Sequence, residues 1–193
     1  DIIIYEGCVE DYEKIKEASK GCDYVFHLAY PYGAQGRGLK QQYIEDGVLG
    51  TFNVLKAAVE NKVNTVVNVS SVAACGLCEG TLLNETQSGS PFLPYGITKL
   101  SGELYCKAFS KMYGLNTVSL RYFYVFGERY ATFDHSALVK FMECVVNKVP
   151  ITIFGDGTQI RDYTYISDVV DGTLASLNCP HLNGAVYNIG KGY

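Results

Sequence analysis

The feature that most constrains the fold is a regular alternation of short apolar runs with longer helical patterns. The apolar runs occupy residues 2–5, 24–29, 65–69, 117–120, 151–154 and 186–189. The helical patterns lie between them, at about residues 11–20, 41–61, 95–113, 136–147 and after Ser167. Strands that alternate with helices form βαβ units, and the resulting parallel strands are covered on both faces. The pattern therefore predicts an α/β fold built on a doubly wound parallel sheet.

A parallel sheet of this kind also indicates where to look for a site. Ligands bind in the crevice beyond the carboxyl ends of the strands. In this chain those ends fall after Ala29, after Ser70 and after Leu120. We expect functional side chains in the segments that follow these three residues.

Composition excludes several classes of function. The 193 residues include 48% hydrophobic and 19% charged residues, as in a folded soluble domain, and the net charge is −4. Nucleic-acid binding is disfavoured, because no basic stripe is present to neutralise phosphates. Membrane insertion is disfavoured as well, because no apolar run is long enough to cross a bilayer.

Cysteine usage indicates a reducing compartment. The chain has seven cysteines, an odd number scattered along its length, which favours free thiols and a cytoplasmic location. Cys75 and Cys78 have the C-x-x-C spacing of redox and metal sites. Since neither a second ligand pair nor a thioredoxin-like setting accompanies them, small structural thiols are favoured, and we expect no metal.

The strongest chemical signal is the pair Tyr95 and Lys99 at the start of a helical pattern. The i, i+4 spacing places both side chains on one helix face. A lysine cation near a phenol favours the phenolate, so we expect the pKa of Tyr95 to lie below 10 and the phenol to exchange protons nearer neutral pH. Taken alone, a tyrosine and a lysine at this spacing are more often part of a solvated helix face.

A second signal is the pair Ser70 and Ser71 at the end of the strand pattern at residues 65–69. A hydroxyl at a strand end, 24 residues before Tyr95, can hydrogen-bond the same substrate oxygen as the phenol. Taken alone, two serines after a strand are typical of a polar turn or a helix cap.

The ordered set of motifs resembles the extended short-chain dehydrogenase/reductases, and among them the UDP-sugar 4-epimerases. The resemblance runs from about Cys8 to Gly192. It is carried by residues 70–76 (SSVAACG), 94–99 (PYGITK), 120–123 (LRYF) and 155–163 (GDGTQIRDY).

The resemblance implies roles for individual residues. Ser71, Tyr95 and Lys99 match the catalytic triad, in which Tyr95 is the acid/base, Lys99 binds the nicotinamide ribose and Ser71 holds the sugar hydroxyl. The positions that match the cofactor side are Leu28, Ala29, Tyr30, Ser70, Tyr95, Lys99 and Phe123. The positions that match the nucleotide-sugar side are Ser71, Tyr124, Thr152, Ile153, Phe154 and Arg161. His27, inside a strand pattern, is expected to be a structural core residue.

The resemblance implies an NAD-dependent nucleotide-sugar 4-epimerase that works through a 4-keto intermediate, with NADP not excluded as cofactor. Sugar dehydratases and decarboxylases of the family need acidic residues where Val72 and Ala73 stand, which disfavours both reactions. A keto-sugar reductase stays open. A non-catalytic dinucleotide-binding sensor is the alternative of another class, and the intact Ser71, Tyr95 and Lys99 set argues against it. The chain departs from the family pattern at Gly47 and Tyr124, where asparagine is common. The departure at Tyr124 is on the substrate side and weakens any transfer of substrate identity.

The resemblance also sets expectations for domain organisation. Residues 1–125 are expected to form an incomplete dinucleotide-binding domain that lacks the N-terminal βαβ unit and its Gly-rich turn. Residues 126–193 are expected to form part of a substrate-binding region, with a strand near 186–189 returning to the sheet. We expect the helices near 41–61 and 95–113 to form a homodimer interface, and we expect this chain alone to be inactive.

Overall fold

The computed structural model describes residues 2–30, 41–76, 83–86, 89–128, 137–179 and 181–192. The helices are α1 (Tyr12–Ala18), α2 (Gly50–Glu60), α3 (Pro94–Tyr113), α4 (Ala137–Asn147) and α5 (Ile166–Ala175). The strands are β1 (Tyr24–His27), β2 (Thr65–Ser71), β3 (Asn116–Tyr122), β4 (Tyr124–Phe126), β5 (Tyr163–Tyr165) and β6 (Ala185–Ile189). A π-helical segment (Tyr43–Leu49) runs directly into α2, and short 3₁₀ turns follow β2 and α5.

The predicted α/β fold is confirmed by a four-stranded sheet in the order β1-β2-β3-β6, in which every neighbouring pair is parallel. The register pairs Ser70 with Arg121 and Ser71 with Tyr122. Because the strands are parallel, His27, Ser71, Tyr122 and Ile189 end at one edge of the sheet. This is the edge where the sequence places the candidate site.

Helices cover both faces of the sheet. On one face, the inward-facing sides of α2 and α3 pack on the sheet through a buried apolar cluster that includes Leu55, Val66 and Phe109. On the other face, Val67, Val118 and Leu120 form a second cluster, against which the segment after α5 packs. The alternation of Val66 and Val67 between the two clusters follows from the two-residue period of a strand.

The start of α3 is fixed by local sequence. Pro94 occupies the first helical position, where its missing N–H would have no intrahelical partner. Helix α3 ends 20 residues later at Gly114, whose φ of 68° is a left-handed conformation that glycine adopts without steric cost. These signals place Tyr95 and Lys99 in the first turns of α3, at the carboxyl edge of the sheet.

A two-stranded parallel sheet, β4 with β5, joins the same edge. Asp162, just before β5, accepts hydrogen bonds from the backbone N–H groups of Lys191 and Gly192 at 2.9–3.1 Å. The Tyr122 phenol lies 2.6 Å from the Thr173 hydroxyl of α5. These contacts attach the small sheet and α5 to the ends of β3 and β6.

Two predicted strands are wrong. Ile2 to Tyr5 form no strand, and Ile2, Ile3 and Ile4 are 92%, 75% and 84% exposed. Residues 151–154 also form no strand, and their side chains are exposed. An apolar run becomes a strand only when a neighbour completes its hydrogen bonds, and in the described parts of the chain neither run has such a neighbour. Strands β4 and β5, three residues each, were missed because so short a run carries little periodicity.

The remaining predicted elements agree with the structure to within a few residues, including the long helical pattern at 41–61, which is divided into a π-helical and an α-helical part. Ser136, the predicted start of α4, lies outside the described residues. None of the helices in the described part of the chain combines the length and the apolar character needed to span a bilayer.

We predict that Leu55→Ala lowers the free energy of unfolding by about 2–5 kcal/mol, because Leu55 is 1% exposed in the α2 face of the core. Leu174→Ala is the matched control, since Leu174 is also helical but 51% exposed, and it should cost less than about 1 kcal/mol. Urea unfolding of the whole protein, followed by circular dichroism, measures both. Equal losses in the two variants would contradict this packing.

Candidate active site

The structure brings Ser71 and Tyr95 close together. The Ser71 side chain lies near enough to the Tyr95 phenol to lower the pKa of that phenol. The Ser71 oxygen accepts a hydrogen bond from the backbone N–H of Ala73 at 3.2 Å. With that lone pair occupied by Ala73, the Ser71 hydroxyl can donate its proton to the phenol oxygen. The end of β2 and the first turn of α3 therefore form a two-hydroxyl site at the sheet edge.

Lys99 lies beside this pair, one turn further along α3. Its ammonium donates a hydrogen bond to the backbone oxygen of Val69 at 2.8 Å, and it lies 4.6 Å from the centre of the Tyr30 ring. Burial lowers the pKa of Lys99 from 10.5 to about 8, because a desolvated ammonium is disfavoured. A carbonyl dipole and a ring face stabilise this cation, but neither is a full counter-charge.

The pKa of Tyr95 differs from the sequence expectation. Burial raises it above 10, and the nearby Ser71 side chain opposes that rise. The Lys99 ammonium stays 5.9 Å from the centre of the Tyr95 ring, held by Val69 and Tyr30. The expected lowering by Lys99 is therefore wrong for the protein alone, since desolvation of the phenolate is the largest effect.

Tyr30, just after β1, forms a wall of the site. Its ring meets the Tyr95 ring edge-to-face, with centroids 4.9 Å apart, and its hydroxyl lies 3.0 Å from the Thr98 hydroxyl. Gly47 makes room for Thr98, since a Cβ at position 47 would lie 3.0 Å from the Thr98 Cβ. The glycine at position 47, where the family pattern has asparagine, therefore leaves the space that the Thr98 side chain fills.

His27 is a buried structural residue, as predicted. Its Nε2 atom lies 3.0 Å from the Thr51 hydroxyl, which donates its own proton to the Gly47 carbonyl at 2.7 Å. Nε2 must therefore carry the hydrogen in the neutral ring. Burial, with the nearby Lys99 charge, lowers the pKa of His27 to about 4. The ring is thus neutral at physiological pH.

Ser70 is buried at the end of β2. It is 2% exposed, and its hydroxyl donates to the Glu103 carboxylate at 2.6 Å. The proton of this hydroxyl is therefore used inside the protein, and the predicted cofactor contact of Ser70 stays a prediction. Leu28 and Ala29, in contrast, are exposed at the end of β1.

A second group of predicted residues gathers around β4. Pairing of β4 with β5 brings Tyr124 beside Tyr163, and the Arg161 guanidinium lies 5.5 Å from the centre of the Tyr124 ring. Phe123 adjoins them, with its backbone N–H bonded to the Ile189 carbonyl at 3.3 Å. The positions Thr152, Ile153 and Phe154 lie on an exposed segment instead of a strand.

Cys75, just after the Ser71 turn, is buried and forms no disulfide with another described cysteine. Cys78, its partner in the C-x-x-C spacing, lies outside the described residues.

Glu103 and Arg121 are the site-supporting residues that the sequence analysis missed. They form a buried ion pair directly behind Ser70, with Arg121 Nη2 2.8 Å from Glu103 Oε2. The available signal was the spacing of Tyr95, Lys99 and Glu103, which places a carboxylate on the same face of α3 one further turn along. A buried charge is not visible from spacing alone, because an exposed helix face gives the same pattern.

We predict a pKa near 8 for Lys99 in the cofactor-free whole protein, measured by NMR after reductive ¹³C-methylation and assigned with Lys99→Arg. The reason is that burial disfavours the ammonium and that no carboxylate of the described ranges is paired with it. Lys16 is the internal control, because Glu60 at 2.7 Å raises its pKa above 10.5. A titration of Lys99 at or above 10 would show that the ammonium is solvated.

Comparison with known proteins places these motifs in a family. The sequence profile of the NAD dependent epimerase/dehydratase family matches residues 1–190. An uncharacterized UDP-glucose epimerase of Bacillus subtilis is 37% identical over 173 residues, which cover 89% of this chain and 54% of that protein. The chain thus spans about half the length of the curated relatives that it matches.

Solved structures of similar fold come from the same group of enzymes. The UDP-glucuronic acid 4-epimerase of Bacillus cereus, in complex with UDP-glucuronic acid and NAD, is 35% identical with a TM-score of 0.81, over 91% of this chain and 56% of that one. The UDP-glucose 4-epimerase of Thermotoga maritima with UDP-glucose is 28% identical with a TM-score of 0.86, over 98% and 62%. Since the family profile covers nearly the whole sequence, the chain belongs to the NAD-dependent epimerase/dehydratase family.

Proposed function

We propose that the whole protein is an NAD-dependent epimerase that inverts C4 of a UDP-linked sugar. The observation that carries this proposal is the placement of three side chains at one end of the sheet. Ser71 ends β2, Tyr95 and Lys99 lie in the first turns of α3, and the Lys99 ammonium is 5.9 Å from the centre of the Tyr95 ring. Relatives that share the fold bind UDP-sugars and NAD, which supports the same ligand classes here.

The side chains around Lys99 fit a dinucleotide. One Lys99 N–H donates to Val69, and an ammonium has three donors in all, so it can also bond the hydroxyls of a ribose. Leu28 and Ala29 offer an exposed apolar edge at the end of β1 for a flat ring system. When bound, NAD supplies an acceptor and donor of hydride for C4 and a positive charge that favours the nearby phenolate.

In this mechanism, Ser71 and Tyr95 handle the proton of the sugar 4-hydroxyl. The Tyr95 phenolate oxygen takes that proton while the C4–H bond breaks, and a 4-keto sugar results. The keto sugar then rotates in the pocket and presents its opposite face. The phenol returns the proton to the keto oxygen as the new C4–H bond forms on that face of the sugar. Ser71 donates a hydrogen bond to the same sugar oxygen and stabilises the charge that develops there.

The residues beside Ser71 favour epimerisation over the other reactions of the family. Val72 and Ala73 occupy the 3₁₀ turn after β2 and have no acid or base to eliminate water or assist decarboxylation. A keto-sugar reductase uses the same proton chemistry and is distinguished by its product. The Ser71 and Tyr95 pair argues against a non-catalytic dinucleotide sensor, which has no use for it.

Arg161 and Tyr124 provide a surface for the nucleotide part of the substrate. The exposed Arg161 guanidinium stacks near the Tyr124 ring, and its planar donors suit the oxygens of a diphosphate. We place the UDP group here, with Phe123 between it and the sheet edge. Thr152, Ile153 and Phe154, on their exposed segment, remain proposed contacts of the nucleotide.

The wider organisation is also proposed. Residues 1–125 form the dinucleotide-binding part, and residues 126–193 belong to the substrate-binding part. A homodimer through the α2 and α3 face is supported by a ladder of aromatic rings with exposed ends, in which Phe52 is 37% and Tyr113 55% exposed. We propose a cytoplasmic location, in line with the absence of a disulfide among the six cysteines in the described ranges.

We predict that Tyr95→Phe lowers kcat for epimerisation by about 10²- to 10⁴-fold, because the general acid/base is removed while the ring remains. NMR of UDP-galactose, UDP-N-acetylgalactosamine and UDP-glucuronic acid, incubated with the whole protein and NAD, measures formation of the 4-epimers. Tyr187→Phe is the control, since Tyr187 is 46% exposed on β6, and it should leave kcat unchanged. Retention of more than a tenth of the activity in Tyr95→Phe would exclude Tyr95 as the acid/base.

We predict that Arg161→Ala raises KM for the UDP-sugar at least about tenfold with little change in kcat. A charge-assisted hydrogen bond contributes about 1.5–3 kcal/mol, and about 1.4 kcal/mol corresponds to a factor of ten. Lys140→Ala, which removes an exposed cation from α4, is the matched control. An unchanged KM in Arg161→Ala would move the diphosphate site elsewhere.

A further inference from the structure

The buried ion pair behind the site makes more contacts than a simple charge pair. The Glu103 carboxylate accepts from Arg121 Nε and Nη2, both at 2.8 Å, and from the Ser70 hydroxyl at 2.6 Å. Glu103 is 4% and Arg121 3% exposed. Both oxygens of Glu103 are therefore satisfied inside the protein, in a setting where each charge has lost its water.

This arrangement is a poor way to gain stability alone. Two charges taken out of water pay a desolvation penalty that their attraction often only balances, and apolar side chains of similar volume can serve as well. Among the described residues, the buried Nη1 atom of Arg121 has no hydrogen-bond partner. What a bidentate pair does supply is a fixed relative orientation. The planar guanidinium bonds the carboxylate through two parallel N–H groups, which fixes the distance and angle between the helix and the strand that carry them.

The elements joined in this way are those that carry the reacting groups. Glu103 lies on α3, four residues after Lys99 and eight after Tyr95, so the three side chains form one stripe along the helix. Arg121 lies on β3, directly opposite Ser70 of β2 in the parallel register. Ser70 is the chain neighbour of Ser71. One carboxylate thus holds α3 to both strands immediately below the Ser71 and Tyr95 contact.

We propose that Glu103 is a positioning residue, which sets the rotation and height of α3 on strands β2 and β3 so that the Tyr95 phenol meets the Ser71 hydroxyl. Arg121 and Ser70 are its two anchors. This inference rests on the proposed acid/base function of Tyr95 and assigns to Glu103 no contact with substrate or cofactor.

Two variants of the whole protein test the proposal. Glu103→Gln keeps the volume and removes the charge. The triple variant Ser70→Ala, Glu103→Met, Arg121→Met replaces the network by apolar side chains. Apolar side chains can preserve stability without fixing the orientation of α3 on the strands. Ser119→Ala is the matched control, because it breaks a buried hydrogen bond from Asn68 at 3.1 Å between the same two strands, away from the hydroxyl pair.

The expected result separates geometry from stability. The triple variant should melt within a few degrees of the unaltered protein, yet its kcat should fall at least tenfold while KM for the UDP-sugar changes less than threefold. If the triple variant keeps both the kcat and the stability of the unaltered protein, the proposal is overturned. If the triple variant does not fold, the comparison is between Glu103→Gln and Ser119→Ala. A kcat loss in Glu103→Gln alone supports positioning, and equal losses in both reject it.

A readout without turnover keeps this test independent of the proposed reaction. In protein labelled with ¹³Cζ-tyrosine, the Tyr95 resonance, assigned with Tyr95→Phe, reports the surroundings of the Tyr95 hydroxyl, including the position of Ser71. The chemical shift of this resonance should change in Glu103→Gln and remain unchanged in Ser119→Ala. If the unaltered protein epimerises no UDP-sugar, the proposed function fails, and this resonance alone decides whether Glu103 positions Tyr95. An unshifted resonance in Glu103→Gln then rejects the positioning role.

Discussion

The contact between α3 and the strands β2 and β3 is the constraint on which the candidate site depends. The apolar lower half of this contact, around Val66 and Phe109, fixes the helix on the sheet through ordinary burial. Toward the carboxyl edge the interface becomes polar, through Asn68, Ser70 and Arg121 on the strands and Glu103 on the helix. Apolar packing tolerates small shifts, whereas hydrogen-bonded pairs do not. The precision of the interface thus increases toward the end where Ser71 and Tyr95 meet.

Burial also sets the electrostatics of the site. Desolvation raises the pKa of Tyr95, lowers that of Lys99 to about 8 and lowers that of His27 to about 4. Because Lys99 binds its proton less well folded than unfolded, its burial costs folding free energy at neutral pH. That cost is relieved as pH rises from about 8 toward 10.5, where the unfolded chain also releases the proton. Perturbed pKa values of this kind cluster at functional sites.

Sequence periodicity predicted the sheet because parallel, doubly covered strands such as β2 and β3 carry long β-branched runs. It failed for Ile2–Tyr5 and for residues 151–154, since an apolar run does not reveal whether a neighbouring strand exists. The Tyr95 and Lys99 spacing and the Ser71 position predicted which side chains meet at this end of the sheet, because helix geometry and strand ends are local properties. The pKa of Tyr95, the occupied Ser70 hydroxyl and the Glu103–Arg121 pair depend on contacts between distant segments. The local sequence pattern carries no information about such contacts.

In the proposed reaction, the hydrogen that leaves C4 is the one returned to C4, while Tyr95 moves only the hydroxyl proton. The most direct measurement is epimerisation of a UDP-sugar deuterated at C4 by the whole protein in ordinary water, with the product examined by NMR and mass spectrometry. We expect the 4-epimer to retain the deuterium at C4 and to gain no solvent hydrogen on carbon. Loss of the label from C4, or solvent hydrogen at C5 or C6, would contradict the proposed reaction and indicate elimination chemistry instead.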